Sequence, residues 1–148
     1  MAHVGLKPQS VLMLGGYKIQ RDANRLLADA RAAEQAGAFA VVLECIPRLI
    51  AKAITAELSI PTIGIGAGPD CDGQVLVFHD ILNLTFTPPA KFVRRYGDAA
   101  ALIADAVQAF REDVISHQYP ADSESYHLSK ETQQALETVL ERKRGMRR

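Results

Sequence analysis

Apolar positions along the chain alternate between helical and strand-like spacing. Asp22 is placed to cap a helix running to about Ala36, with Leu26, Leu27, Ala30 and Ala33 on one stripe. Gly37 then stands where the left-handed residue after a helix belongs. Phe39 to Cys45 (FAVVLEC) is short, apolar and β-branched, as expected of a strand buried on both faces. Pro47 suits the first turn of a second helix, striped by Leu49, Ile50, Ala53, Ile54 and Leu58 and broken at Ser59-Ile60-Pro61. Thr62 to Ala67 (TIGIGA) and Gln74 to His79 (QVLVFH) read as two further buried strands. After a loop with Pro88 and Pro89, Asp98 opens a long helix carrying Leu102, Ile103, Ala106, Val107, Phe110 and Val114. A polar exit through Tyr119-Pro120 leads to Ser129, which can cap a last helix with the thin stripe Leu136, Val139 and Leu140.

This order predicts an α/β fold with parallel strands and right-handed crossovers. Hydrophobic pattern alone leaves a barrel segment and an open doubly wound sheet equally open. The glycines tilt the choice towards a barrel. Gly64, Gly66 and Gly68 recur with period two, which places them on one strand face with Ile63 and Ile65 on the other, under helices. A face without side chains marks the close approach of something else, here a ligand at the barrel mouth. The chain has 148 residues, whereas a complete (β/α)8 barrel takes about 250. The expected organisation is a partial barrel over 1–120, a linker over 121–128, and a helix with a basic tail over 129–148.

Composition narrows the function classes. Seventeen acidic and seventeen basic residues cancel, so no global field recruits nucleic acid or an anionic membrane. The terminal cluster Arg142, Lys143, Arg144, Arg147 and Arg148 has no aromatic platform beside it and reads as a solvated tail. Cys45 and Cys71 lack CxxC spacing and read as reduced thiols. No secretion signal or bilayer-length apolar run is expected, which points to the cytoplasm.

Glu44 is the most informative single residue. It ends a strand expected to be dry on both faces, where a carboxylate is costly to desolvate unless paired. In α/β sheets and barrels that strand end faces the ligand site. Position alone leaves it as a general base, a metal ligand, or a carboxylate that turns to solvent or caps the helix near Pro47. Gly15-Gly16-Tyr17-Lys18 has the composition of a mobile loop over an anionic substrate, and equally of a simple turn. His79-Asp80, expected at the end of the third strand, is an imidazole–carboxylate pair more in keeping with structure than with catalysis. The glycine run lacks GxGxxG spacing, and no HExxH or Cys/His metal spacing occurs.

Several strings taken together resemble ketopantoate hydroxymethyltransferases. They are HVGLKPQS at His3 to Ser10, GGYKIQ at Gly15 to Gln20, AGAFAVVLECIP at Ala36 to Pro47, IPTIGIGAGPDCDGQVLVFHD at Ile60 to Asp80, and KFVRRY at Lys91 to Tyr96. The resemblance implies the C-terminal half of a (β/α)8 barrel, roughly strands 6–8 with their helices, plus an extra C-terminal helix. It implies hydroxymethyl transfer from 5,10-methylenetetrahydrofolate to 3-methyl-2-oxobutanoate, giving 2-dehydropantoate for pantothenate synthesis, with Mg2+ stabilising the enolate. Glu44 matches the family's base, and His3 matches a histidine that approaches the substrate. Gly64 and Gly66 are the further substrate-binding candidates. The family's metal-binding acids belong to its first four strands, so no metal ligand is expected among these residues. Asn83 stands where the family commonly has Gly.

The partners expected are the keto acid, the folate, a separate N-terminal half and further copies of the chain. The competing expectation is a non-catalytic remnant, or a half-barrel that binds a small ligand or serves structurally. A half-barrel also leaves strand edges open, and these are expected to include Phe39–Cys45 and Gln74–His79.

Overall fold

The computed structural model describes residues 1–145 apart from 11, 13–15 and 17. The chain forms two compact units, Met1–Ala101 and Leu102–Arg148.

In the first unit, β1 (Ala2–Gly5), β2 (Val41–Glu44), β3 (Thr62–Ile65) and β4 (Gly73–Gln74) form one sheet in the order β1-β2-β3-β4. Every pairing is parallel. Right-handed crossovers that always step in one direction put their helices on one side of the sheet. Such one-way order of parallel strands is consistent with a fragment of a barrel.

Helix α1 (Ala23–Gln35) begins as its sequence dictates: the Asp22 side chain accepts a hydrogen bond from the Arg25 amide, and Gly37 ends the helix at φ +86°. Helix α2 (Arg48–Glu57) starts one residue later than expected, with Pro47 as the cap in extended conformation. Ala51 and Ile54 are buried, but Leu49 is 78% exposed and leaves the expected stripe. The core joins Val4, Val41 and Leu43 of the sheet to Leu26 and Ala30 of α1 and Ala51 and Ile54 of α2.

Two expectations about strands are corrected. Of the expected strand Gln74 to His79 only Gln74 pairs, together with Gly73 before it; Val75 adds one hydrogen bond to the Gly64 carbonyl, and Phe78–Ile81 then turns into the short helix α3. Strand β3 itself ends at Ile65, so residues after Val75 have no ladder to join. His79 and Asp80 therefore lie in α3: the His79 ring packs edge-on against Phe78, and Asp80 accepts a hydrogen bond from Thr85. Phe39 and Ala40 precede β2, which lies between β1 and β3 and is not an edge.

Helix α4 (Ala99–Ile115) opens as expected, the Asp98 carboxylate accepting from the Ala101 amide and from Asn83 Nδ2. Asn83 adopts φ +58°, a conformation that Gly takes without cost and Asn tolerates better than most residues. In the second unit the α4 stripe of Leu102, Ile103, Val107 and Phe110 is exposed. Phe110 stacks edge-to-face on Tyr119, with centroids 5.3 Å apart. Helix α5 (Lys130–Gly145) follows the Ser129 cap, whose hydroxyl is 3.4 Å from the Thr132 amide. Arg147 and Arg148 of the basic tail, and Gly15 and Tyr17 of the candidate loop, lie outside the described residues. No helix among the described residues is long and apolar enough to cross a membrane.

Candidate active site

Parallel register fixes which side chains share a face. Val4, Val41, Leu43, Thr62 and Gly64 lie on the side covered by α1 and α2: Leu43 pairs with Gly64, and buried Thr62 sits 2.8 Å from Thr55 Oγ1 of α2. The opposite side carries His3 and Gly5 of β1, Val42 and Glu44 of β2, and Ile63 and Ile65 of β3. Neither α1 nor α2 covers that side.

Across its last row Glu44 is flanked by Gly5 on one strand and Ile65 on the other. His3 lies one row below, paired with Val42, and reaches Glu44 diagonally. The distance from His3 Nε2 to Glu44 Oε2 is 2.9 Å, with the Glu44 side chain 15% exposed. This close approach lacks hydrogen-bond geometry: Nε2 is sealed from solvent and has no hydrogen-bond partner among the described residues. An unsatisfied buried donor costs about 1–3 kcal/mol, so the pair is receptive to an oxygen that satisfies both groups. The two leading candidates from the sequence are thus brought together at the strand ends.

Gly5, which the sequence does not single out, lets the end of β1 lie against the end of β2. It adopts φ +96°, and a side chain there would collide with the Glu44 carbonyl and Ile46. Its only signal in the sequence is a glycine two residues after a histidine.

The glycine candidates are placed differently from expectation. Gly64 faces the helices, away from Glu44, and a Cβ on it would meet Cys71 Sγ and Gln74 Oε1 at 3.0 Å. Gly66, at φ +64°, makes room for the Phe92 ring. The bare positions therefore accommodate the chain's own side chains. Ile63 and Ile65, expected under helices, share the Glu44 side instead. The one-residue offset follows from register, which a period-two pattern leaves undetermined. A cavity of about 630 Å³ beyond β3 is lined by Gly66, Gln74, Phe92, Arg94 and Tyr96.

Charged groups elsewhere support the scaffold. Thr62 holds Asp72 through its amide and hydroxyl, at 2.8 and 3.0 Å from one carboxylate oxygen. The Thr62 amide above all, then its hydroxyl, keeps the Asp72 carboxyl below its ordinary value. Arg48 clasps Asp70 through two nitrogens and lowers that carboxyl likewise. Burial pushes the Cys45 and Cys71 thiols up, which suits inert packing rather than nucleophilic work. Among the described residues no cluster of three His, Cys, Asp or Glu side chains could hold a metal ion.

The family model for ketopantoate hydroxymethyltransferase matches residues 1–122. Among curated proteins, the 3-methyl-2-oxobutanoate hydroxymethyltransferase of Koribacter versatilis is 64% identical over the whole chain, which covers 52% of that protein. The proteins of the same name from Geobacter sulfurreducens and Carboxydothermus hydrogenoformans are 58% and 48% identical over 85% and 88% of the chain. The chain spans about half the length of these curated relatives.

Proposed function

Because this chain belongs to the ketopantoate hydroxymethyltransferase family, we propose that it supplies the proton-abstracting side of a hydroxymethyl-transfer site, with Glu44 as the general base. The observation that carries this is the His3–Glu44 approach of 2.9 Å at the C-terminal ends of adjacent parallel strands. A carboxylate that is largely withdrawn from water, beside an imidazole and apolar neighbours, is suited to taking a proton from carbon.

The substrate in this reading is 3-methyl-2-oxobutanoate. Glu44 takes the proton from the carbon beside its carbonyl, and the electron pair of the broken C–H bond moves into the enolate. The enolate carbon then bonds to the methylene carbon of 5,10-methylenetetrahydrofolate as that carbon's two C–N bonds break in turn, water supplies the hydroxyl, and tetrahydrofolate leaves with the nitrogens protonated, giving 2-dehydropantoate. His3 stands beside the Glu44 carboxylate and donates to a substrate oxygen through its unsatisfied Nε2.

Mg2+ does not fit the residues present here. Glu44 offers one carboxylate and His3 one imidazole, whereas Mg2+ takes near-octahedral oxygen ligands. What these two side chains carry is proton transfer and orientation. In this proposal the metal's ligands belong to the part of the barrel that these relatives have and this sequence does not span. The four in-order parallel strands form one side of that barrel, and the assembled enzyme works in the cytoplasm as an oligomer. The non-catalytic half-barrel is not favoured, since the relatives are named as hydroxymethyltransferases.

Wash-in of solvent deuterium at C3 of 3-methyl-2-oxobutanoate, catalysed by the completed barrel, tests the reading directly. Exchange that depends on Glu44 supports it; exchange at the wild-type rate in a Glu44→Gln variant overturns it.

A further inference from the structure

We propose that Ile65 is the residue that selects a branched, apolar side chain on the keto acid. This role rests on the transfer reading above and adds a specificity determinant to it. Glu44 ends β2, and its direct register partners are Gly5 on one side and Ile65 on the other. Neighbouring strands in a sheet lie about 4.8 Å apart, so Ile65 is the nearest side chain to the Glu44 carboxylate on the β3 side. It is half-buried and on the face that α1 and α2 leave open.

The two flanks differ in kind. Gly5 contributes no side chain, and His3 rises diagonally into the Glu44 carboxylate on that side. The polar parts of a substrate belong there, within reach of the imidazole. The β3 flank carries Ile65, with Ile63 one row below it, and makes an apolar wall with no polar side chain of β3 in the same face. The carbon that loses its proton to Glu44 also bears the alkyl group, so that group must lie beside the carboxylate. Of the side chains that β1 and β3 place in this face, only those of β3 are apolar, and Ile65 is the one level with Glu44. A hydroxyl or charge on the substrate there would lose water without gaining a partner.

The test measures C3 deuterium exchange in the completed barrel for 3-methyl-2-oxobutanoate and for 2-oxobutanoate, which lacks one methyl group. One methylene in an apolar pocket discriminates by about 10–200-fold. Ile65→Ala is expected to cut the ratio of kcat/KM for branched over unbranched substrate by about tenfold. Ile65→Val and Ile65→Thr have nearly the same size, so a larger fall in Thr separates apolar character from volume. Circular dichroism of each variant establishes that the sheet is intact. Exchange by the wild type with an unchanged ratio in all three variants overturns the role of Ile65 and leaves Glu44 as the base. Absence of exchange in the wild type overturns the transfer reading and the role of Ile65 with it.

Discussion

Gly5 and Glu44 are register partners on adjacent parallel strands, and the side chain that Gly5 lacks is the space through which the Glu44 carbonyl passes. The Leu6 amide donates to that carbonyl at 2.9 Å, which locks the end of β2 against β1. Glu44 is therefore held at the strand end by its own backbone. The approach of His3 follows from the same register.

Replacement of Glu44 by Gln is expected to slow C3 exchange in the completed barrel by about 10²–10⁴-fold, the usual contribution of a positioned base. Keto acid binding should change far less, because the amide keeps the shape and the oxygen. Parallel exchange and equilibrium binding measurements check this, and loss of both together would point to a binding role instead.

In the proposed reading His3 stands beside the base and donates to the substrate. His3→Ala is expected to lower exchange by about 10²-fold, the scale on which small misplacements of a reacting group operate. His3→Gln retains an N–H near the Glu44 carboxylate and should recover part of the rate. If both variants match the wild type in kcat, the contact has no part in the reaction.

Acid sensitivity follows from Asp72 and Asp98. The Thr62 amide holds the Asp72 carboxyl below its ordinary value of 3.8, and the Ala101 amide does the same for Asp98. A carboxyl whose folded value is depressed adds stability above the unfolded value, and that contribution disappears as pH falls through the folded one. Stability should therefore decline as pH drops below about 5, and Asp72→Asn should make that decline shallower. Chemical denaturation at a series of pH values reads this, and an unaltered slope in the variant would remove Asp72 from the account.

Self-association of the isolated chain is the expected outcome of the exposed α4 stripe of Leu102, Ile103, Val107 and Phe110 and of the outer edges of β1 and β4, unpaired among the described residues. Light scattering is expected to give a mass above the 16.1 kDa of one copy, and Phe110→Glu should lower it. A monodisperse monomer that unfolds cooperatively would contradict this.

Helix starts were legible in the sequence because capping is local. Asp22, Asp98 and Ser129 each cap the helix that follows, and Gly37 ends α1, through contacts within a few residues. Glu44 stood out as a candidate in the sequence because a carboxylate at the end of an apolar strand has few structural uses. The side of the sheet on which Gly64 and Ile65 lie was not legible. Strand periodicity fixes which residues alternate, but only pairing with β2 decides which set faces the helices. The length of β4 was undetermined for a related reason: Val75, Val77 and Phe78 have strand-forming side chains, yet a strand extends only as far as its neighbour offers backbone partners. The sequence by itself determined the α/β order, the helix caps and the candidate base. The tertiary structure decided register, and with it that His3, Gly5 and Ile65 surround Glu44, because contacts between strands far apart in the chain are set by packing and by no local preference.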